Sequence, residues 1–145
     1  MKLIKYIMTA ALVVAASTTV ATAKSKDAPQ RVYMFGFAAS FNDTIVHFTE
    51  IHPVDSAWLS SKNNFLMGRD NYSYQLRDYL TQQQMPYRTC VVFYDRKLSR
   101  IQKKFLKMKK LYTTGKKGKL TNNDVRTIPT NDFKFQAINM AVTTE

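Results

Sequence analysis

The chain has 145 residues, 45% of them hydrophobic, with 22 Lys and Arg against 10 Asp and Glu, a formal charge of +12. That length holds one ordinary domain. The single cysteine excludes an internal disulfide, and four glycines leave little material for a phosphate-cradling loop.

Residues 1–23 read as a secretory signal peptide. Lys2 and Lys5 form a basic start, Ile7 to Ala16 an apolar core, and Ala21-Thr22-Ala23 a small-x-small cleavage site. The competing reading is an N-terminal core helix, but the three parts stand in the order of a signal. The apolar core is too short to span a bilayer as a mature helix, which needs about 20 residues. No transmembrane span is therefore expected after cleavage. Cleavage removes two lysines and leaves a formal charge of +10. The expected address is periplasmic or secreted. Residues 24–30 are charged, small and contain Pro29, and read as a flexible leader. A single domain over 31–140 follows.

Two strands are expected around Asn42-Asp43-Thr44, whose residues suit a turn. In the first, residues 32–41, Tyr33, Phe35, Phe37 and Phe41 share a bulky face. Val32, Met34, Gly36, Ala38 and Ser40 share a smooth one. The second, residues 45–51, mixes polar and apolar positions and suits an edge. Residues 52–68 are broken by Pro53, Asp55-Ser56 and Asn63-Asn64 and read as irregular. A helix capped by Asp70 or Asn71 runs to about Gln84, with Tyr72, Leu76, Tyr79 and Leu80 inward. Residues 87–94 are β-branched and aromatic and suit a buried central strand. Asp95 is the expected cap of a second helix ending at Gly115, with Leu98, Ile101, Phe105, Met108 and Tyr112 on one face. After a Gly, Lys and Asn linker, residues 125–129 carry no clear pattern. Residues 132–138 alternate and read as a last edge strand.

The order β-β-α-β-α-β predicts an α+β two-layer sandwich. Its four-stranded mixed sheet has order 2-1-3-4, with the first strand antiparallel to the rest. Right-handed crossovers moving the same way would put both helices on one face, against the bulky side of the first strand. The smooth side then needs cover. Residues 52–68 are the favoured cover, and a second copy of the chain, giving a homodimer, is the other.

The strongest polar signal lies between Arg96 and Lys119: eleven basic residues and no acid. Arg96, Arg100, Lys103, Lys107 and Lys110 fall opposite the apolar stripe of the second helix and form the candidate ligand-binding face. Such a face repels itself by a few tenths of a kcal/mol per pair, roughly, unless an anion compensates. The bland reading is a solvated face that keeps the chain soluble. An anionic envelope component or a protein partner is the functional one. Nucleic acid is least favoured, because no recognised binding signature accompanies the charge. His47 with Asp43 or Glu50 is the alternative, a small hydrolase-like site. His47 and His52 are expected on opposite strand faces, so a metal site, with Asp43, Glu50 or Asp55 as third ligand, is disfavoured. No motif implies a cofactor. Cys90 reads as a buried inert thiol, with Arg88 on its face as the argument for a reactive one. Tyr72, Tyr74 and Tyr79 with Trp58 offer an aromatic platform for sugars, but Tyr72 and Tyr79 are more simply core.

The runs from Tyr33 to Asp43 and from Gly68 to Leu76 resemble segments of small exported proteins of Bacteroidetes-type bacteria. The likeness extends to Thr89-Cys90-Val91-Val92-Phe93-Tyr94. The resemblance implies a bacterial envelope address and carries over no activity and no site residue. The sequence thus points to an exported, non-catalytic binding or interaction module.

Overall fold

Bulk on one side and small side chains on the other let one strand serve two cores. In the computed structural model, which describes residues 28–141, that strand is β1 (Ala28–Ala39). The remaining elements are β2 (Ile45–Thr49), β3 (His52–Leu59), α1 (Arg69–Gln82), β4 (Thr89–Asp95), α2 (Leu98–Thr114) and β5 (Asp124–Ile128). The fold is α+β, a mixed five-stranded sheet with two helices. The expected signal segment and residues 24–27 lie outside the described residues. Ala28, Pro29 and Gln30, expected as leader, are the start of β1 and pair with Leu59, Trp58 and Ala57.

β4 runs antiparallel along one edge of β1. Along the other edge lie β2 and then β3, successive pieces of one antiparallel return strand. Phe37 faces Phe48 and Met34 faces His52, so four residues on the return strand match three on β1. The extra residue is a bulge, which shifts the alternation by one. Residues 52–59, expected as irregular, are therefore a strand. Val54, Ala57 and Leu59 are buried, while Pro53, Asp55 and Ser56 face out. Proline is tolerated there because β3 has β1 on one side only.

β5 pairs in parallel with β2, register Ile45 to Asp124 through Thr49 to Ile128. This corrects the predicted order. β2 is interior, not an edge, and β4 is an edge, not central. The crossover through α1 moves from β2 and β3 across β1 to β4. The crossover through α2 moves back across β1 and β2 to β5. Crossovers of one hand travelling in opposite directions place their helices on opposite faces. That is the observed result: Tyr72, Leu76 and Leu80 of α1 pack with Val32, Met34 and Ala38, whereas Ile101, Phe105, Met108 and Tyr112 of α2 pack with Phe35, Phe37 and Phe48. The two-layer arrangement with both helices on one face is overturned.

The smooth face is thus covered by α1 and a C-terminal strap; of residues 52–68, expected as its main cover, Leu66 joins the same core while 52–59 form a strand of the sheet itself. Phe133 and Phe135 of that strap are buried in the α1-side core. The alternation over 132–138 is real but makes no strand. Its amides go to side chains: Phe135 N–H donates to His52 Nε2 (2.9 Å), Gln136 N–H to Gln75 Oε1 (2.8 Å) and Ile138 N–H to the Tyr72 hydroxyl (3.0 Å).

At Gly36 of β1, side chains of α1, the strap and β2 close in on the backbone. A Cβ there would lie 2.6 Å from Leu76 Cδ2, 3.0 Å from Phe135 Cζ and 3.3 Å from Thr49 Cγ2. Leu76 is fully buried, so its side chain has little room to retreat. Gly36→Ala is expected to destabilise by about 1–3 kcal/mol through overpacking. A lower denaturation midpoint at unchanged slope would show it; an unchanged midpoint would mean this face is loosely packed. Phe41, expected on the bulky face, lies past the end of β1 and is fully exposed.

Candidate functional site

The turn from β4 into α2 sets the site. Asp95 was the expected helix cap, but its Oδ1 accepts the Lys97 amide (2.8 Å) and closes the turn before the helix. Lys97 itself holds the cap position with no side-chain cap, and the first turn of α2 contains no acid. Arg96, Lys97 and Arg100 thus crowd the end of the helix where the dipole is already positive, an arrangement that favours an anion there.

Beside this turn is a hollow of about 340 Å³. Arg69, Arg96, Arg100 and Lys104 supply its cations, Phe93 and Tyr94 its aromatic wall, and Asn64 and Asp95 complete it. Two stretches of the chain build it, 64–69 and 93–104. Arg69 opens α1, and its Nη2 donates to the Val92 carbonyl (2.9 Å), which ties that guanidinium to β4. The Tyr94 hydroxyl accepts from Leu66 N–H (2.9 Å) and donates to the Asn64 carbonyl (3.1 Å), fixing the preceding turn against the strand end. Lys104 Nζ lies 5.7 Å from the Phe93 ring centroid, a cation–π distance. Arg96 Nη1 donates to Gln30 Oε1 (3.3 Å).

Among the described residues, the ion pairs join Arg31 to Asp55, Arg77 to Asp78, Arg88 to Asp43 and Arg126 to Asp124. No cation of the hollow or of α2 takes part in them. The structure divides the five predicted site residues into two groups. Arg96 and Arg100 line the hollow, while Lys103, Lys107 and Lys110 stand exposed along the open face of α2. Lys104 belonged to the basic run but not to the predicted set. Arg69 carried no sequence signal, since only the packing of α1 beside β4 brings it near Arg100.

The hydrolase-like grouping does not assemble. Asp43 Oδ2 accepts from Arg88 Nη2 (2.6 Å) and its Oδ1 from the Ile45 amide (2.9 Å). Glu50 Oε2 accepts the Thr130 amide (2.9 Å). Neither carboxylate bonds to His47. The bulge places His47 and His52 on the same, α1-facing side of the sheet, not on opposite sides, and both are buried. Burial, reinforced by the Arg88 and Arg126 guanidiniums, pushes the His47 imidazole down to about 4, a weak base at neutral pH. Among the described residues no group of three His, Cys, Asp or Glu side chains is placed to hold a metal.

Cys90 is half-buried against the α1-side core, and burial pushes its thiol up to about 11, so the thiolate form is scarce. Tyr72 is buried and Tyr79 packs on Phe133, leaving Tyr74, with Arg77 over its ring, exposed. The three tyrosines thus share no exposed platform. No helix among the described residues is long and apolar enough to cross a membrane. Compared with family models, curated proteins and solved structures, the chain gives no match.

Proposed function

We propose that this chain is an exported, non-catalytic binding module that holds an anionic envelope component or an acidic protein partner against the basic face of α2. The observation that carries this reading is the run of eleven cations from Arg96 to Lys119 without one acid, none of them paired with a carboxylate among the described residues. Charge needed only for solubility would be interspersed with acids, because pairs at i,i+4 then stabilise the helix by about 0.2–0.5 kcal/mol each. Here the helix forgoes that stabilisation. The signal-like N-terminus supports the envelope address.

Retention on heparin and on anionic liposomes tests it. The Lys103→Gln/Lys107→Gln/Lys110→Gln variant is expected to elute at clearly lower salt than the native chain, since three counterion-releasing contacts are gone. A control with Arg31→Gln and Lys62→Gln, on other parts of the surface, should elute with the native chain. Equal elution of the triple variant and the native chain would refute the role of α2.

A further inference from the structure

We infer that the hollow at the start of α2 is a seat for a terminal phosphomonoester group. The inference rests on the anion-binding reading above and narrows it to one subsite and one ligand chemistry.

Charge balance is the first argument. Arg69, Arg96, Arg100 and Lys104 face one concave space, and among the described residues Asp95 is the only acid lining it. One oxygen of Asp95 is already engaged by the Lys97 amide. The excess is three positive charges in a small volume. A concave wall focuses that potential more than the open face of α2 does. A phosphomonoester brings about −1.5 to −2 charges at neutral pH and three acceptor oxygens. A phosphodiester or carboxylate brings one charge and fewer acceptors.

Geometry is the second. Arg69 is held by its bond to the Val92 carbonyl, and Tyr94 is held by two bonds through its hydroxyl. These groups are ordered before any ligand arrives, which reduces the entropy lost on binding. Guanidinium forks donate to two oxygens of one phosphate, whereas lysines on an open helix act as single points. The seat joins two stretches distant in sequence, 64–69 and 93–104, so the fold, and not the local charge run alone, brings Arg69 to Arg96, Arg100 and Lys104.

The phosphomonoester could end a membrane lipid or a soluble sugar phosphate. Both present the same group, and the test separates them. Binding is measured to phosphatidylcholine vesicles carrying phosphatidic acid, a monoester, or phosphatidylglycerol, a diester, at matched surface potential. Glucose 6-phosphate is the soluble competitor. The native chain is expected to bind the monoester vesicles about tenfold more tightly, roughly the size of one charge-assisted hydrogen bond. The Arg100→Gln/Lys104→Gln variant alters two exposed helix positions where Gln is a good helix former, and its fold is checked by circular dichroism. It is expected to lose the preference and keep part of the general anion binding.

The Lys103→Gln/Lys107→Gln/Lys110→Gln variant is expected to weaken both vesicle types together and keep the preference. No preference in the native chain, or a preference that survives Arg100→Gln/Lys104→Gln, overturns the seat and leaves the basic-face reading standing. Full binding by the triple lysine variant does the reverse. Given the preference, competition by glucose 6-phosphate supports the seat with soluble sugar phosphates as its source. Preference without competition supports it with a lipid source.

Discussion

Phe35→Ala is expected to lower the unfolding free energy by about 3–5 kcal/mol, the range for deleting a buried aromatic ring. Phe35 is fully buried at the middle of β1. Its ring stacks on Phe93 at 5.0 Å between centroids, meets Phe105 edge-on at 5.1 Å and tilts against Phe48 at 6.4 Å. Those three rings come from β4, α2 and β2, so one side chain joins most of the α2-side core. Truncation removes transfer free energy and leaves a cavity whose walls belong to four different elements. Such walls cannot collapse together without moving the sheet or the helix. For a domain of this size the loss is a large share of a total stability of about 5–15 kcal/mol.

Phe41→Ala is the matched control. By alternation it belongs with Phe35 and Phe37, but its side chain is fully exposed, and its removal should change stability by less than about 0.5 kcal/mol. Urea denaturation of the two variants beside the native chain measures both. Similar losses for Phe35 and Phe41, or a Phe35 loss below about 1.5 kcal/mol, would mean that α2 is not seated on this face.

The contrast between these two phenylalanines marks what the sequence makes legible. Period-two and period-three-to-four patterns identified β1, β4 and both helices, because each buries its side chains against layers that reward periodicity. They also separated the two faces of β1 correctly. The strand end at Ala39 was not legible, since nothing local distinguishes Phe41 from Phe37. The fold's larger departures share one cause. A strand apolar on both faces reads as central, yet β4 is an edge with α1 packed on one side and α2 on the other. A half-polar strand reads as an edge, yet β2 is interior and buries a neutral His47 and a hydrogen-bonded Thr49.

From the placement of β5 beside β2 the direction of the second crossover follows, and from that the face of α2. One misplaced strand therefore moved a whole layer. β5 itself gave little signal, because Asp124, Arg126 and Thr127 of its five residues are exposed. The site divides in the same way. Arg96 and Arg100 were visible as members of a basic run. Arg69 became part of the hollow only through tertiary packing, which no spacing in the sequence encodes.

Acid is expected to destabilise the chain between about pH 6.5 and pH 4, and the two histidines are the reason. His47 is buried on the α1 side of the sheet, near Arg88, Arg126, Asp43 and Asp124, and its Nδ1 has no hydrogen-bond partner among the described residues. Burial, then the two guanidiniums, pushes its imidazole from 6.5 down to about 4. His52 is also pushed down, first by burial, against the opposing pull of its bond to the Glu50 carbonyl. Its Nδ1 donates to that carbonyl at 3.0 Å, so its Nε2 accepts the Phe135 amide as the neutral ring must.

A proton on Nε2 would put two donors face to face and release the strap that carries Phe133 and Phe135. In both cases the folded chain resists a proton that the unfolded chain takes readily. Over that window the unfolded state holds more protons, so stability falls as pH falls and is flat above about pH 7. His47 alone accounts for about 3 kcal/mol across the interval. Asp43, whose carboxyl is held low by the Ile45 amide and by Arg88, resists protonation and begins to add its own loss only toward the acid end. Urea midpoints at pH 7.5, 6, 5 and 4.5 should therefore decline steadily, and His47→Gln should flatten the decline whatever it does to stability at pH 7.5. Imidazole proton shifts followed by NMR give the direct check. A His47 ring that titrates near 6.5 in the folded chain would contradict its burial against α1, and with it the covering of the smooth face by α1 and the strap.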